Sequence, residues 1–186
     1  CSESTVNFTF RLLRFIIGNP SFSIMAYSKI LQRLRSEKTN YRKRKAMLMG
    51  KRDFISVNIT SENIQIQILK PEFSGDKVIS SGHSRFLIKH GWKGSRKNIP
   101  AAYLTGYFVG KKALSNDTKT AILYTGTKKY TQRMAAALKG VIDSGLEVPA
   151  NEETFPPEDR INGEHLKVKN DISSIKTKID SEVSTK

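Results

Sequence analysis

Two short runs between residues 55 and 68 constrain the fold more than any other feature. Ile55, Val57 and Ile59 alternate with Ser56 and Asn58, and Ile64, Ile66 and Ile68 alternate with Gln65 and Gln67. Successive side chains of a strand point to opposite faces, so each run has one apolar face. Thr60-Ser61-Glu62-Asn63 separates them, and the pattern predicts a β-hairpin with one buried face. The turn segment from Pro71 to Lys77 leads to a third short strand near Val78–Ser80. Residues His83 to His90 suit a helix, and the glycines and charges of Gly91 to Pro100 predict a loop. Pro100 fits the first turn of a helix running to about Leu114. Gly106 and Gly110 lie four apart on it, a small-residue seam for close packing. Thr120 to Thr125 reads as a strand. Tyr130 to Ser144 reads as a helix with Ala135, Leu138, Val141 and Ile142 inward and Gly145 just past its end.

The order is basic helix, three strands, two helices, strand, helix and tail. It predicts an α/β fold, a two-layer sandwich of a small mixed sheet with packed helices. A basic N-terminal helix precedes the sandwich and an irregular C-terminal tail follows it. The expected divisions are an N-terminal extension over 1–27, a basic segment over 28–52, a core over 53–149 and a tail over 150–186. The tail, acidic and then Lys/Ser-rich, contains Pro156-Pro157, many charges and few large apolar residues. It is expected to be disordered or extended on a partner. For residues 1–24 three readings stand: an upstream extension or start-site artefact with Met25 as the start, a mobile arm, or a targeting or lipid-anchored segment.

Charge points to the class of partner. The net charge is +15, and residues 25–52 alone carry net +9. Arg42-Lys43-Arg44-Lys45 would repel one another without a dense polyanion. Nucleic acid is the usual one, because releasing its condensed counterions favours association. Ser36 or Thr39 can cap a helix over about Asn40 to Met49. Successive side chains turn by about 100°, so the four cations cover most of its circumference. Either nucleic acid meets the helix on more than one side, or some of these charges are simply solvated.

A second signal is the loop around Trp92, the only tryptophan. Lys89, His90, Lys93, Arg96 and Lys97 flank it. Aromatics amid cations suit unstacked RNA bases and their phosphates; the alternative is a Trp that plugs the edge of the core. Catalytic chemistry finds little support. His83, His90 and His165 show no metal-ligand spacing, and GYFVGKK (Gly106 to Lys112) lacks the spacing and hydroxyl of a phosphate loop. The single cysteine, Cys1, excludes a disulfide framework. No apolar run approaches the roughly 20 residues of a membrane span. No cofactor, small-molecule substrate or membrane is expected.

Five motifs, in order, carry a resemblance. They are KTNYRKR (Lys38–Arg44), GHSR (Gly82–Arg85), GWKGSRKNIPAAYLTG (Gly91–Gly106), AALKGVIDSGLEVP (Ala136–Pro149) and FPPEDRINGEH (Phe155–His165). Together they resemble large-subunit ribosomal protein eighteen of the archaeal and eukaryotic type over about Ser28 to Leu166. The resemblance implies an α/β sandwich without catalysis. It implies 5S rRNA, large-subunit rRNA and neighbouring ribosomal proteins as partners, in the central protuberance. A ribosome-associated or RNA-processing factor with the same fold is the alternative. The family's RNA-facing segments fall on Lys38, Thr39, Asn40, Tyr41, Arg42, Lys43 and Arg44 and on Trp92, Lys93, Arg96 and Lys97 of the loop. Lys45, Arg52, His83 and Arg85 are further RNA-binding candidates. TGTKKYTQR (Thr125–Arg133) departs from the family's Gly-rich loop but keeps its basic character, which adds Lys128, Lys129 and Arg133.

Overall fold

A computed structural model describes residues 32–184 apart from residues 73, 167 and 169. The expectations for residues 1–24 and the start of the basic segment lie outside the described residues. The chain divides into two compact units, one ending at Arg42 and the other running from Lys43. In the first, helical turn α1 (Gln32–Arg35) is closed by the Lys38 N–H donating to the Arg33 carbonyl at 3.1 Å. Helix α2 (Tyr41–Met49) begins there and has no buried residue. It ends where Lys51 takes a left-handed φ of 48° and its N–H donates to the Leu48 carbonyl.

The second unit is built on a four-stranded mixed sheet of order β3-β2-β1-β4. Strands β1 (Asp53–Ile59), β2 (Ile64–Lys70) and β3 (Lys77–His83) form an antiparallel meander. Strand β4 (Ala121–Leu123) joins β1 in parallel. The hairpin register sets Ile55 against Ile68, Val57 against Ile66 and Ile59 against Ile64. The expected alternation is observed: Ile55, Val57, Ile64, Ile66 and Ile68 are buried, and Ile59 is half-buried. The Thr60 N–H and hydroxyl both donate to the Asn63 carbonyl and close the turn.

Helix α3 (Ile99–Leu114) covers that apolar face. It follows the helix expected over His83 to His90, which is a 3-10 helix over Ser84–His90. Helix α4 (Gln132–Asp143) packs on α3 at very short range. A methyl added at Gly106 would strike the Ala137 carbonyl, and one at Gly140 would strike the Tyr103 carbonyl. The predicted seam of Gly106 and Gly110 is therefore completed from the other side by Gly140. Tyr103 ties the pair, its hydroxyl donating to Asp143 Oδ2 at 2.6 Å. Burial, and then that hydrogen bond, hold its phenol well above the ordinary tyrosine range.

The C-terminal region corrects the sequence reading. It is not an extended tail. A 3-10 turn (Glu152–Thr154), helix α5 (Glu158–Asn162) and helix α6 (Ile172–Ser184) fill it. Ile172, Ile175 and Ile179 of α6 are buried in the main core, and Val183 packs against it. Asp171 opens α6 by accepting from the Ser173 N–H at 3.2 Å. Tyr107 of α3 donates to Asp180, and Lys111 pairs with Asp180 at 3.6 Å. A few apolar residues suffice here because all lie on one stripe at helical spacing. The Lys/Ser-rich stretch after Lys167 is thus partly helix, while Lys167 and residues 185–186 lie outside the described residues.

Replacing Gly140 with Ala tests the helix seam. Helix propensity alone favours Ala by about 1 kcal/mol. Overpacking against the Tyr103 backbone should reverse the sign and destabilise the protein by about 1–3 kcal/mol or more. Urea denaturation that shows a stabilised variant would refute the close approach of the two helices.

Candidate nucleic-acid interface

The alternation that sends isoleucines inward sends polar residues outward. The register aligns Ser56 with Gln67 and Ser81, and Asn58 with Gln65 and His83. Two rows of hydroxyl, amide and imidazole groups therefore cross the outer face of the sheet. All six residues are half-buried or exposed. Such side chains carry both donors and acceptors.

Cations distant in sequence border these rows. Lys128 donates to Asn58 Oδ1 at 2.5 Å. Lys43 donates to the Thr125 hydroxyl at 2.8 Å, just beyond β4. Arg85 follows the end of β3, its backbone N–H donating to His83 Nδ1 at 3.2 Å. The structure thus brings together three separate basic motifs, KRK, HSR and TKK.

Arg44 has a different task from its neighbours. It pairs with Asp76 at 2.5 Å. Its guanidinium lies 5.8 Å from the ring centre of Phe54 and 5.6 Å from that of Tyr124. Those two rings stack, centroids 5.6 Å apart, on the same sheet face as Ser56. Cation–π attraction and the carboxylate anchor this part of α2 to the sheet. The Asp76 hydrogen bond is the largest of the effects that raise the Arg44 pKa above its ordinary value. The four-cation puzzle is resolved in part: Arg44 faces the protein, whereas Arg42, Lys43 and Lys45 are exposed.

The Trp92 loop corrects a second expectation. Trp92 is only 6% exposed and belongs to the core. Its indole N–H donates to the Ser95 carbonyl at 3.2 Å. The indole is a core plug, with no open face on which a base could stack. The glycines shape the loop: Gly91 and Gly94 adopt φ of 89° and 105°. The Lys93 peptide is held from both ends by Asn170, at 2.9 Å through its N–H and 2.8 Å through its carbonyl. Arg96 is also committed, donating to Asn63 at 2.8 Å and pairing with Glu62 at 3.5 Å. Lys93 and Lys97 remain exposed.

Lys129 and Arg133 are exposed around the start of α4, and Arg52 is exposed before β1. In the first unit Lys38, Asn40 and Tyr41 are exposed and Thr39 is half-buried. Sequence reasoning missed the outer row residues Ser56, Asn58, Gln65 and Gln67, although the alternation that predicted the core contained them, and Ser81, just past the expected third strand. It also missed Arg160, which shares a cleft with Lys128, Lys129 and Arg133.

Residues 26–134, more than half of the chain, match the family model described as ribosomal large subunit proteins 60S L5 and 50S L18. The chain is 40% identical over 142 residues to large ribosomal subunit protein uL18 of Thermofilum pendens, covering 75% of this chain and 72% of that protein. It is 41% identical over 143 residues to the protein of the same name from Aeropyrum pernix, covering 75% and 67%. For that of Methanococcoides burtonii the identity is 39% over 142 residues, covering 75% and 82%.

Two measurements check the roles assigned to single residues. Trp92→Ala should cost about 3–5 kcal/mol of folding stability, as loss of a large core side chain does; an unchanged melting temperature would contradict the plug. Arg44→Ala should destabilise by about 1–3 kcal/mol, because it removes both a charged hydrogen bond and a cation–π attraction. Lys45→Ala, on the exposed side, should stay within about 0.5 kcal/mol. Equal losses from the two changes, read by urea denaturation, would argue against the anchor.

Proposed function

The chain belongs to the family of large ribosomal subunit protein uL18, and from that membership we propose that its outer sheet face and the bordering cations hold 5S rRNA. Family membership makes it a structural constituent of the cytoplasmic large ribosomal subunit and not an enzyme. The finer reading is that the protein helps attach 5S rRNA to large-subunit rRNA in the central protuberance, beside other ribosomal proteins.

One observation carries this reading. A polar pair of cross-strand rows lies between Lys43, Arg85 and Lys128. The cations supply sequence-independent attraction to phosphates. The amides and hydroxyls supply hydrogen bonds to 2′-hydroxyls and base edges, the groups by which proteins read the shallow surfaces of RNA. Lys45, exposed on α2, extends the positive charge. Arg44 acts as a positioning residue, holding Lys43 and Lys45 in place.

Binding of 5S rRNA should weaken steeply with added salt. Lys128→Glu and Lys45→Glu should each flatten the log–log salt slope by about 0.7–0.9 for every phosphate left without its cation. Gln65→Ala with Gln67→Ala should lower affinity while leaving the slope intact, because amides neutralise no phosphate. Filter binding across a salt series reads both effects. Wild-type affinity and slope in all these variants would remove the sheet face from the interface.

A further inference from the structure

Beyond the sheet face, an open cleft of about 770 Å³ lies at the start of α4. Its volume falls in the range of ligand sites, about 300–1,000 Å³, and exceeds what a phosphate group needs. The lining separates into two chemistries. Ile59, Ile99 and Met134 supply apolar surface, the first two half-buried and the third buried. Lys129, Arg133 and Arg160 are exposed cations around that surface. Arg160 arrives from α5 and is set by its hydrogen bond to Gln132 Oε1 at 2.8 Å. Lys128 belongs both to this cleft and to the outer rows through Asn58.

Resting on the rRNA reading, we propose that this cleft takes one unstacked nucleotide of the bound RNA. The base would lie on the Ile59, Ile99 and Met134 surface. The flanking phosphates would pair with Lys129, Arg133 and Arg160. A phosphate-only site gains nothing from an apolar floor, and a paired base in a duplex cannot leave its stack without cost. Single strands, bulges and loops can splay a base, and these are the elements proteins bind in this way. An acidic peptide would satisfy the cations but brings no flat apolar face to the floor. Lys128 gives continuity, since RNA crossing the Asn58 row reaches the cleft beside it. Arg160 is therefore a phosphate-binding residue contributed by the C-terminal part of the chain.

The test uses the full chain labelled at its Ile and Met methyl groups. A single-stranded uridine octamer should shift the methyl resonances of Ile59, Ile99 and Met134, and an RNA duplex of equal length should not. Arg160→Gln should weaken octamer binding about tenfold, the size of one missing charged hydrogen bond. It should also flatten the salt slope by about 0.7. Unmoved methyls with the octamer, or the same shifts with a poly-glutamate peptide, would overturn the proposal. A parallel titration with 5S rRNA separates the two readings. If 5S rRNA binds and the methyls stay still, the cleft proposal fails and the rRNA reading stands. If 5S rRNA does not bind while the octamer shifts the methyls, the reverse holds.

Discussion

The backbone contact between α3 and α4 is the constraint on which the rest of the core depends. Gly106 and Gly110 on one helix and Gly140 on the other leave no room for a side chain between them. The helices therefore meet backbone to backbone, closer than ridge-and-groove packing of larger side chains permits. Gly82 of β3 repeats the device on the sheet side, where a methyl would strike Val109. With both sides so tight, α3 has little freedom to slide. It can then serve as the common wall for the sheet, for α4 and for α6. The outer rows inherit that rigidity, because they lie on the same strands whose other face α3 covers.

Electrostatics follows from this frame. A chain of net charge +15 must keep its cations apart or give them partners. The described part of the molecule does both. Arg44, Arg96 and Lys111 are paired with Asp76, Glu62 and Asp180. Lys176 lies 4.7 Å from the ring centre of Tyr103, held by the ring's negative face. The paired cations tie elements together, whereas Lys45, Lys129 and Arg133 are left towards solvent at the borders of the proposed interface. Residue type alone does not separate these groups. Arg42, Arg44 and Lys45 sit within one helical turn, and only the three-dimensional position of Asp76, Phe54 and Tyr124 distinguishes Arg44.

Much of the architecture was legible because it rests on local periodicity. The hairpin, the Pro100 helix and the glycine seam all follow from spacings of two, three or four residues. The five ordered motifs gave the family. What sequence reading missed depends on contacts between distant segments. Trp92 among cations suited an unstacked base, yet Asn170 and Ser95 fix the loop and the core accepts the ring. The C-terminal helix was missed because its charge content was weighed above its pattern. Asp171 followed by Ile172, Ile175, Ile179 and Val183 is a cap and an apolar stripe. The polar rows were passed over for the opposite reason: their residues were read only as the spacer between isoleucines.

The Asn170 clamp on Lys93 joins residues 77 apart in sequence. Its consequence concerns the order of events during synthesis. The sheet, α3 and α4 can assemble as soon as residues up to Asp143 have left the exit tunnel, since domains acquire structure from the N-terminal end. The segment that secures the Trp92 loop and covers Tyr107 is made after them. Until it emerges, the N–H and carbonyl of Lys93 lack their partner, and the stripe that receives Ile175 and Ile179 stays wet. A polypeptide stalled before Asn170 would carry a formed sheet on an unsealed core. Formation of α6 is then the step that seals the core of the nascent chain.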